Sequence, residues 1–146
     1  MHRPKAVILL VEDDPGHACL IEKNLRRSNI DSEIVKLSDG QQTLDYLFAP
    51  AKAAERPRIV VILDLNMPGL SGYQVLQRLK SNPRTQSIPV IVLTTTDDSA
   101  EVKRCYELGC NAYITKPVDY EQFSEMIRRL GLFLMMLHTP EGLYCE

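Results

Sequence analysis

The sequence predicts an α/β fold, a doubly wound parallel sheet of five strands with five helices on its two faces. Three observations predict it. Five short runs rich in β-branched residues punctuate the chain, helical patterns fill the intervals between them, and two of the runs, 60–63 and 90–93, are continuously apolar as buried central strands are. A right-handed crossover lays each helix on the sheet and returns the chain parallel, so the alternation of strand and helix has this architecture as its compact solution.

The first run is 6–11, followed by a helix that starts at Asp14-Pro15. Asp14 can cap the first free N–H groups, and a proline loses nothing at the first helical position. That helix carries Leu20, Ile21 and Leu25 toward Ser28-Asn29. The second run is 33–37, and Ser38 or Asp39 can cap the next helix, which bears Leu44, Leu47 and Phe48. A Pro-bounded segment, 49–57, reads as an elongated loop before the third run at 59–63. Val75, Leu76 and Leu79 place one apolar face on a helix over 72–79. After the fourth run at 90–93, Asp98 with Glu101 reads as a capping box, and Gly109 ends that helix. The fifth run is 112–115, and a last helix from near Asp119 carries Phe123, Met126, Ile127 and Leu130.

At 146 residues and 16.6 kDa the chain is one domain's worth, 1–146, with 131–146 an extension of the last helix and a tail. Seventeen Lys plus Arg against nineteen Asp plus Glu leave a net charge of −2, so no general basic field points to nucleic acid or anionic lipid. The four cysteines, at 19, 105, 110 and 145, make neither a CxxC pair nor a zinc spacing and read as reduced thiols. No stretch approaches the roughly twenty apolar residues of a membrane span, and 6–11 is too short for a signal peptide. A cytoplasmic protein is expected. His17 and His138 read as surface or helix-end residues, with no serine or cysteine to pair with.

In an open parallel sheet the ligand site lies at the carboxyl ends of the strands. The residues there are Glu12-Asp13, Asp64, Thr94 and Lys116. Carboxylates gathered at one edge need a cation, and oxygen donors without histidine or thiol select a hard ion such as Mg²⁺. Asp64 then reads as a nucleophile toward a phosphoryl group, with Lys116 and Thr94 to meet the phosphoryl oxygens. Asn66-Met67-Pro68-Gly69 reads as a turn in which the Asn66 carbonyl could complete the metal shell, with Pro68 and Gly72 shaping the loop.

Four motifs in order, LLVEDD (9–14), LDLNMPGLSG (63–72), PVIVLTTT (89–96) and GCNAYITKP (109–117), make the sequence resemble a response-regulator receiver domain of two-component signalling. The intervals agree, thirty residues from Asp64 to Thr94 and 52 from Asp64 to Lys116. The resemblance covers about 5–130. It implies a flavodoxin-like sheet of order 2-1-3-4-5, with Asp64 as phosphoacceptor. It further implies Mg²⁺ held by Glu12, Asp13, Asp64 and the Asn66 carbonyl, Lys116 on the phosphoryl group, and Thr94 with Tyr113 as the switch pair. The partner implied is a sensor histidine kinase. Thr95 departs from the smaller Ala, Gly or Ser common beside the switch threonine.

A narrower resemblance, in the segments 46–69 and 81–96, is to single-domain regulators of bacterial phytochrome-type kinases. It implies a homodimer through the fourth helix, fifth strand and fifth helix. The run 132–137 is apolar all round, which fits a partner or a last turn folded back on its own domain. With no output domain expected, the signal would pass to a separate downstream protein, along a phosphorelay or into dimerisation. A Mg²⁺-dependent phosphohydrolase is the competing class, but Asn66 stands where its general acid would be. A flavin module would want a phosphate loop where the acidic run 12–14 lies.

Overall fold

In the computed structural model, residues 7–49 and 58–136 are described. The elements are β1 (Val7–Val11), α1 (Pro15–Arg27), β2 (Glu33–Leu37), α2 (Gly40–Phe48), β3 (Ile59–Leu63), α3 (Gly72–Lys80), β4 (Val90–Thr94), α4 (Ser99–Leu108), β5 (Ala112–Thr115) and α5 (Tyr120–Met136). They alternate as expected, and the sheet is parallel throughout with order β2-β1-β3-β4-β5. Ala6 and most of the expected 49–57 loop lie outside the described residues.

β1, β3 and β4 are buried at every position, which is why their sequences do not alternate. Their side chains still divide by parity between two layers. Val7, Leu9, Val11, Val61 and Leu63 face Leu47 of α2, Val75, Leu76 and Leu79 of α3, and Cys105 of α4. Ile8, Leu10, Val60 and Ile62 face Ala18, Ile21 and Leu25 of α1 with Phe123, Ile127 and Leu130 of α5. Burying a side chain of this size contributes about 1.5–3 kcal/mol, so the two layers supply most of the drive to fold.

The helix ends follow the capping residues. Asp14 accepts from the N–H groups of Gly16 and His17 with Pro15 at the first helical position, and Asp39, of the two candidates, accepts from Gln42 N–H. Gly109 stops α4 at φ 107°. At the start of α4 the structure corrects the expected box. Asp98 accepts from Ala100 N–H, two residues on, and the reciprocal box is built instead by Ser71 and Gln74 at α3. Cys105 and Cys110 are buried free thiols and Cys19 is an exposed one. Burial pushes the Cys105 thiol up to about 11, which makes it a small core residue rather than a reactive one.

Two contacts aim the last helix. Ser28 Oγ donates to the Arg128 carbonyl at 3.0 Å, and Gly131 lies so near Ser28 that a Cβ there would stand 2.7 Å from the serine Cβ. α5 therefore passes close over the end of α1. Leu134 packs on the layer between the sheet and α1 with α5, while Leu132, Phe133 and Met135 remain about half exposed at 56%, 51% and 57%. The expectation of an apolar surface on all sides is met in part, and Leu137 lies outside the described residues.

Candidate functional site

The site follows from sheet register. β1 pairs with β3 so that Val11 stands opposite Leu63, and the chain continues the pairing one step further, Asp64 N–H donating to the Val11 carbonyl at 3.0 Å. Glu12 and Asp64 thereby leave the sheet side by side. Glu12 N–H is anchored on the β2 side, to the Leu37 carbonyl at 3.0 Å. Thr94 closes β4 opposite Thr115, and Lys116 N–H donates to the Thr94 carbonyl at 2.6 Å. All five strand-end residues expected to converge, Glu12, Asp13, Asp64, Thr94 and Lys116, do so at one edge.

Glu12, Asp13 and Asp64 each offer a carboxylate oxygen, and these lie within 4.8 Å of one another. Glu12 and Asp64 are buried while Asp13 is exposed, so the cluster opens to solvent on one side. An all-oxygen donor set of this kind fits a hard divalent cation. Burial pushes the Glu12 carboxyl up to about 7, against the pull of the Lys116 ammonium that bonds it. Two buried carboxylates with one ammonium between them are short of positive charge.

Lys116 is itself buried and central. Its Nζ donates to Glu12 Oε1 and lies 3.6 Å from Asp64 Oδ2. Asn66 N–H donates to Asp64 Oδ1 at 3.2 Å, and the Asn66 side-chain amide donates to Thr94 Oγ at 3.3 Å. Thr94 is fully buried, and accepting that bond leaves its own O–H free to donate. Tyr113 is half-buried, and its hydroxyl donates to the Thr96 carbonyl at 2.6 Å. Burial pushes that phenol up to about 12, so it is a donor at neutral pH. Any turning of Tyr113 thus starts from a ring already tied to the segment between β4 and α4.

One residue of the site was not expected. His17, read from sequence as a surface or helix-end residue, stands in the first turn of α1 with Nδ1 3.2 Å from Lys116 Nζ and 4.0 Å from Glu12 Oε1. The position after Asp14-Pro15-Gly16 was the available signal, since the first turn of α1 begins at the same sheet edge as the carboxylates.

Comparison with known proteins agrees with this geometry. Residues 8–128 match the response regulator receiver domain family. The chain is 37% identical over 131 residues to the response regulator Rcp1 of Synechocystis sp., covering 89% of each protein. Among solved structures, a response regulator receiver domain from Rhodospirillum rubrum is 48% identical with a TM-score of 0.87, over 92% of this chain and 97% of that one. The phosphorylated cyanobacterial phytochrome response regulator RcpA is 32% identical with a TM-score of 0.84, over 96% and 100%. Rcp1 has itself been solved in a Mn²⁺-bound form, with 36% identity and a TM-score of 0.83 over 94% and 99%.

Proposed function

The chain belongs to the response regulator receiver domain family, and from that membership we propose that it is a stand-alone regulator that accepts a phosphoryl group from a histidine kinase on Asp64. The observation that carries the proposal is the buried Asp64 carboxylate beside Glu12, Asp13 and the Lys116 ammonium. Coverage of nearly the whole of Rcp1 supports the stand-alone part.

Asp64 supplies a carboxylate oxygen that bonds phosphorus as the P–N bond of a phosphohistidine breaks, with the electron pair leaving on the imidazole. Mg²⁺ held by Glu12, Asp13, Asp64 and the Asn66 carbonyl would neutralise phosphoryl oxygens. Lys116, 3.6 Å from Asp64 Oδ2, is within reach of a phosphoryl oxygen placed there. Thr94, whose O–H is free, donates to another, and its movement loosens Tyr113 from Thr96. The surface of α4, β5 and α5 carries the change to a downstream protein. With Mg²⁺ and acetyl phosphate the protein is expected to gain one phosphoryl mass, and Asp64→Asn to gain none. An unmodified wild-type protein under these conditions would refute the proposal.

The raised Glu12 value gives a pH dependence. Glu12 must shed its proton to hold a cation, so Mg²⁺ affinity is expected to fall by up to about tenfold per pH unit below about 7. Isothermal titration on either side of neutrality measures it. In metal-free protein the sign on stability is opposite. A carboxyl raised above its ordinary 4.5 favours the fold while protonated, and that contribution is lost as pH rises through about 7.

The kinase suggested by RcpA is of the phytochrome type, and the cytoplasm is the compartment such a partner requires; no helix among the described residues is long and apolar enough to cross a membrane. Exposed Phe133 on α5, with Tyr106 exposed on α4, supports a homodimer through the surface of α4, β5 and α5, and exposed Leu132 and Met135, which lie beside residues 27–32, extend the apolar end of the helix toward α1. Serine at all three α5 positions is expected to convert a dimer to a monomer in light scattering. A wild-type monomer at high concentration, with or without beryllofluoride, would contradict the dimer.

A further inference from the structure

His17 is placed with more care than a surface histidine needs. Its N–H donates to Asp14 Oδ1 at 3.1 Å, which fixes it in the first turn of α1. Its ring lies 5.8 Å from the Phe123 ring of α5, inclined at 42°, so it neighbours the core layer that Phe123 belongs to. Nδ1 then points to Lys116 Nζ at 3.2 Å, and Nε2 lies 4.0 Å from Asp14 Oδ2. An ammonium can only donate. The contact is therefore a hydrogen bond when Nδ1 is the acceptor and the ring proton is on Nε2, the side of the Asp14 carboxylate.

Lys116 has three protons to give. One goes to Glu12 Oε1 and one to His17 Nδ1, while Asp64 Oδ2 at 3.6 Å is beyond a good hydrogen bond. The ammonium is held off the carboxylate whose phosphoryl group it has to meet. Glu12 is also a member of the acidic cluster, so it is drawn on by whatever cation sits there. His17 is outside that cluster, and its hold on Lys116 does not depend on it.

We propose that His17 is a positioning residue that draws Lys116 back from Asp64 and so sets the rate at which Asp64 takes a phosphoryl group. This rests on the assignment of Asp64 as phosphoacceptor. Transfer requires Lys116 to give up the Nδ1 bond, or to share it, as it turns to the incoming oxygens. Removing the acceptor removes that cost, and the side chain keeps Glu12 as its other partner. The effect belongs to the transfer step and not to capture of the donor, since His17 touches neither Asp64 nor the open side at Asp13.

Two variants separate the acceptor from the bulk. His17→Leu keeps a side chain against Phe123 but accepts nothing, whereas His17→Asn keeps an acceptor near the place of Nδ1. With acetyl phosphate and Mg²⁺, His17→Leu is expected to raise the saturating phosphorylation rate about fivefold, the worth of one ordinary hydrogen bond, at an unchanged half-saturating donor concentration. His17→Asn should return the rate to near that of wild type. In a Lys116→Met background, His17→Leu should have no effect. An unchanged rate in His17→Leu, equal rates in the two variants, or an effect that persists without Lys116 would overturn the proposal. A separate reading needs no phosphoryl transfer: ¹⁵N shifts of the imidazole in metal-free protein should show the Nε2–H tautomer, with the preference lost in Lys116→Met. An Nδ1–H tautomer would overturn it too, whereas a wild-type protein that takes no phosphoryl group would refute the phosphoacceptor assignment instead.

Discussion

Gly72→Ala is expected to be the most damaging glycine-to-alanine change among the described residues. A Cβ at this position would lie 2.3 Å from the Asp64 carbonyl oxygen and 2.6 Å from the Leu65 Cα. Both are backbone atoms, so no side chain can rotate away. Gly72 also donates its N–H to the Leu65 carbonyl at 3.0 Å, which ties the start of α3 to the loop carrying Asp64. Relief requires α3 to move off that loop or the loop to move into the site. The expected cost is about 3 kcal/mol, equivalent to roughly 10 °C in melting temperature for a domain of this size, with weaker Mg²⁺ binding as well. Gly69→Ala is the matched comparison. Gly69 has φ 74° but no atom within 4 Å of an added Cβ, so it should lose only the roughly 1–2 kcal/mol of a left-handed backbone. Thermal melts of the two variants check the difference.

Lys116→Met is expected to have the largest effect on the site. The substitution leaves Glu12 and Asp64, both buried, facing one another without the ammonium that lies between them. Breaking a buried ion pair by removing one partner costs about 3–5 kcal/mol when the remaining charge stays ionised. Metal-free Lys116→Met should therefore melt well below wild type at alkaline pH. The difference should narrow at acid pH, where Glu12 is protonated, and narrow again when Mg²⁺ is added. The phosphorylation rate should fall by about a hundredfold, since a positive charge aimed at developing phosphoryl charge is lost. Melting curves with and without Mg²⁺ across neutral pH, paired with rates from acetyl phosphate, measure both effects.

The fold was legible because its signals are local. The run 90–93 is apolar throughout since both faces of β4 are covered, and Asp14, Asp39 and Gly109 mark helix ends by chemistry confined to one turn. The carboxylates were legible for a related reason. In a parallel sheet every strand ends at the same edge, so residues 52 apart, such as Asp64 and Lys116, can be placed together from strand ends alone.

What was not legible depends on how elements approach one another. His17 joins the site through the angle at which α1 leaves the sheet, which sets Nδ1 against a lysine 99 residues away. Gly131 reads as a blemish in an apolar helix until Ser28 is seen beneath it. Asp98 followed by Glu101 carries the spacing of a capping box, yet the N–H that Asp98 meets is that of Ala100, because the spacing does not fix which N–H the loop turns toward the carboxylate. In the apolar C-terminal run Leu134 is inner packing, while Leu132, Phe133 and Met135 are open surface.

The central claim is that the phosphoryl group is carried by the side chain of Asp64. Borohydride reduces an aspartyl phosphate to homoserine and leaves free carboxylates intact, so the residue that carried phosphate is marked in the chain. After incubation with Mg²⁺ and acetyl phosphate, reduction and peptide mass mapping should find homoserine at position 64, with Asp13 and Asp14 intact and Glu12 not reduced to its five-carbon hydroxy analogue. A reduced side chain at any other carboxylate, or none in a protein that binds Mg²⁺, would contradict the assignment.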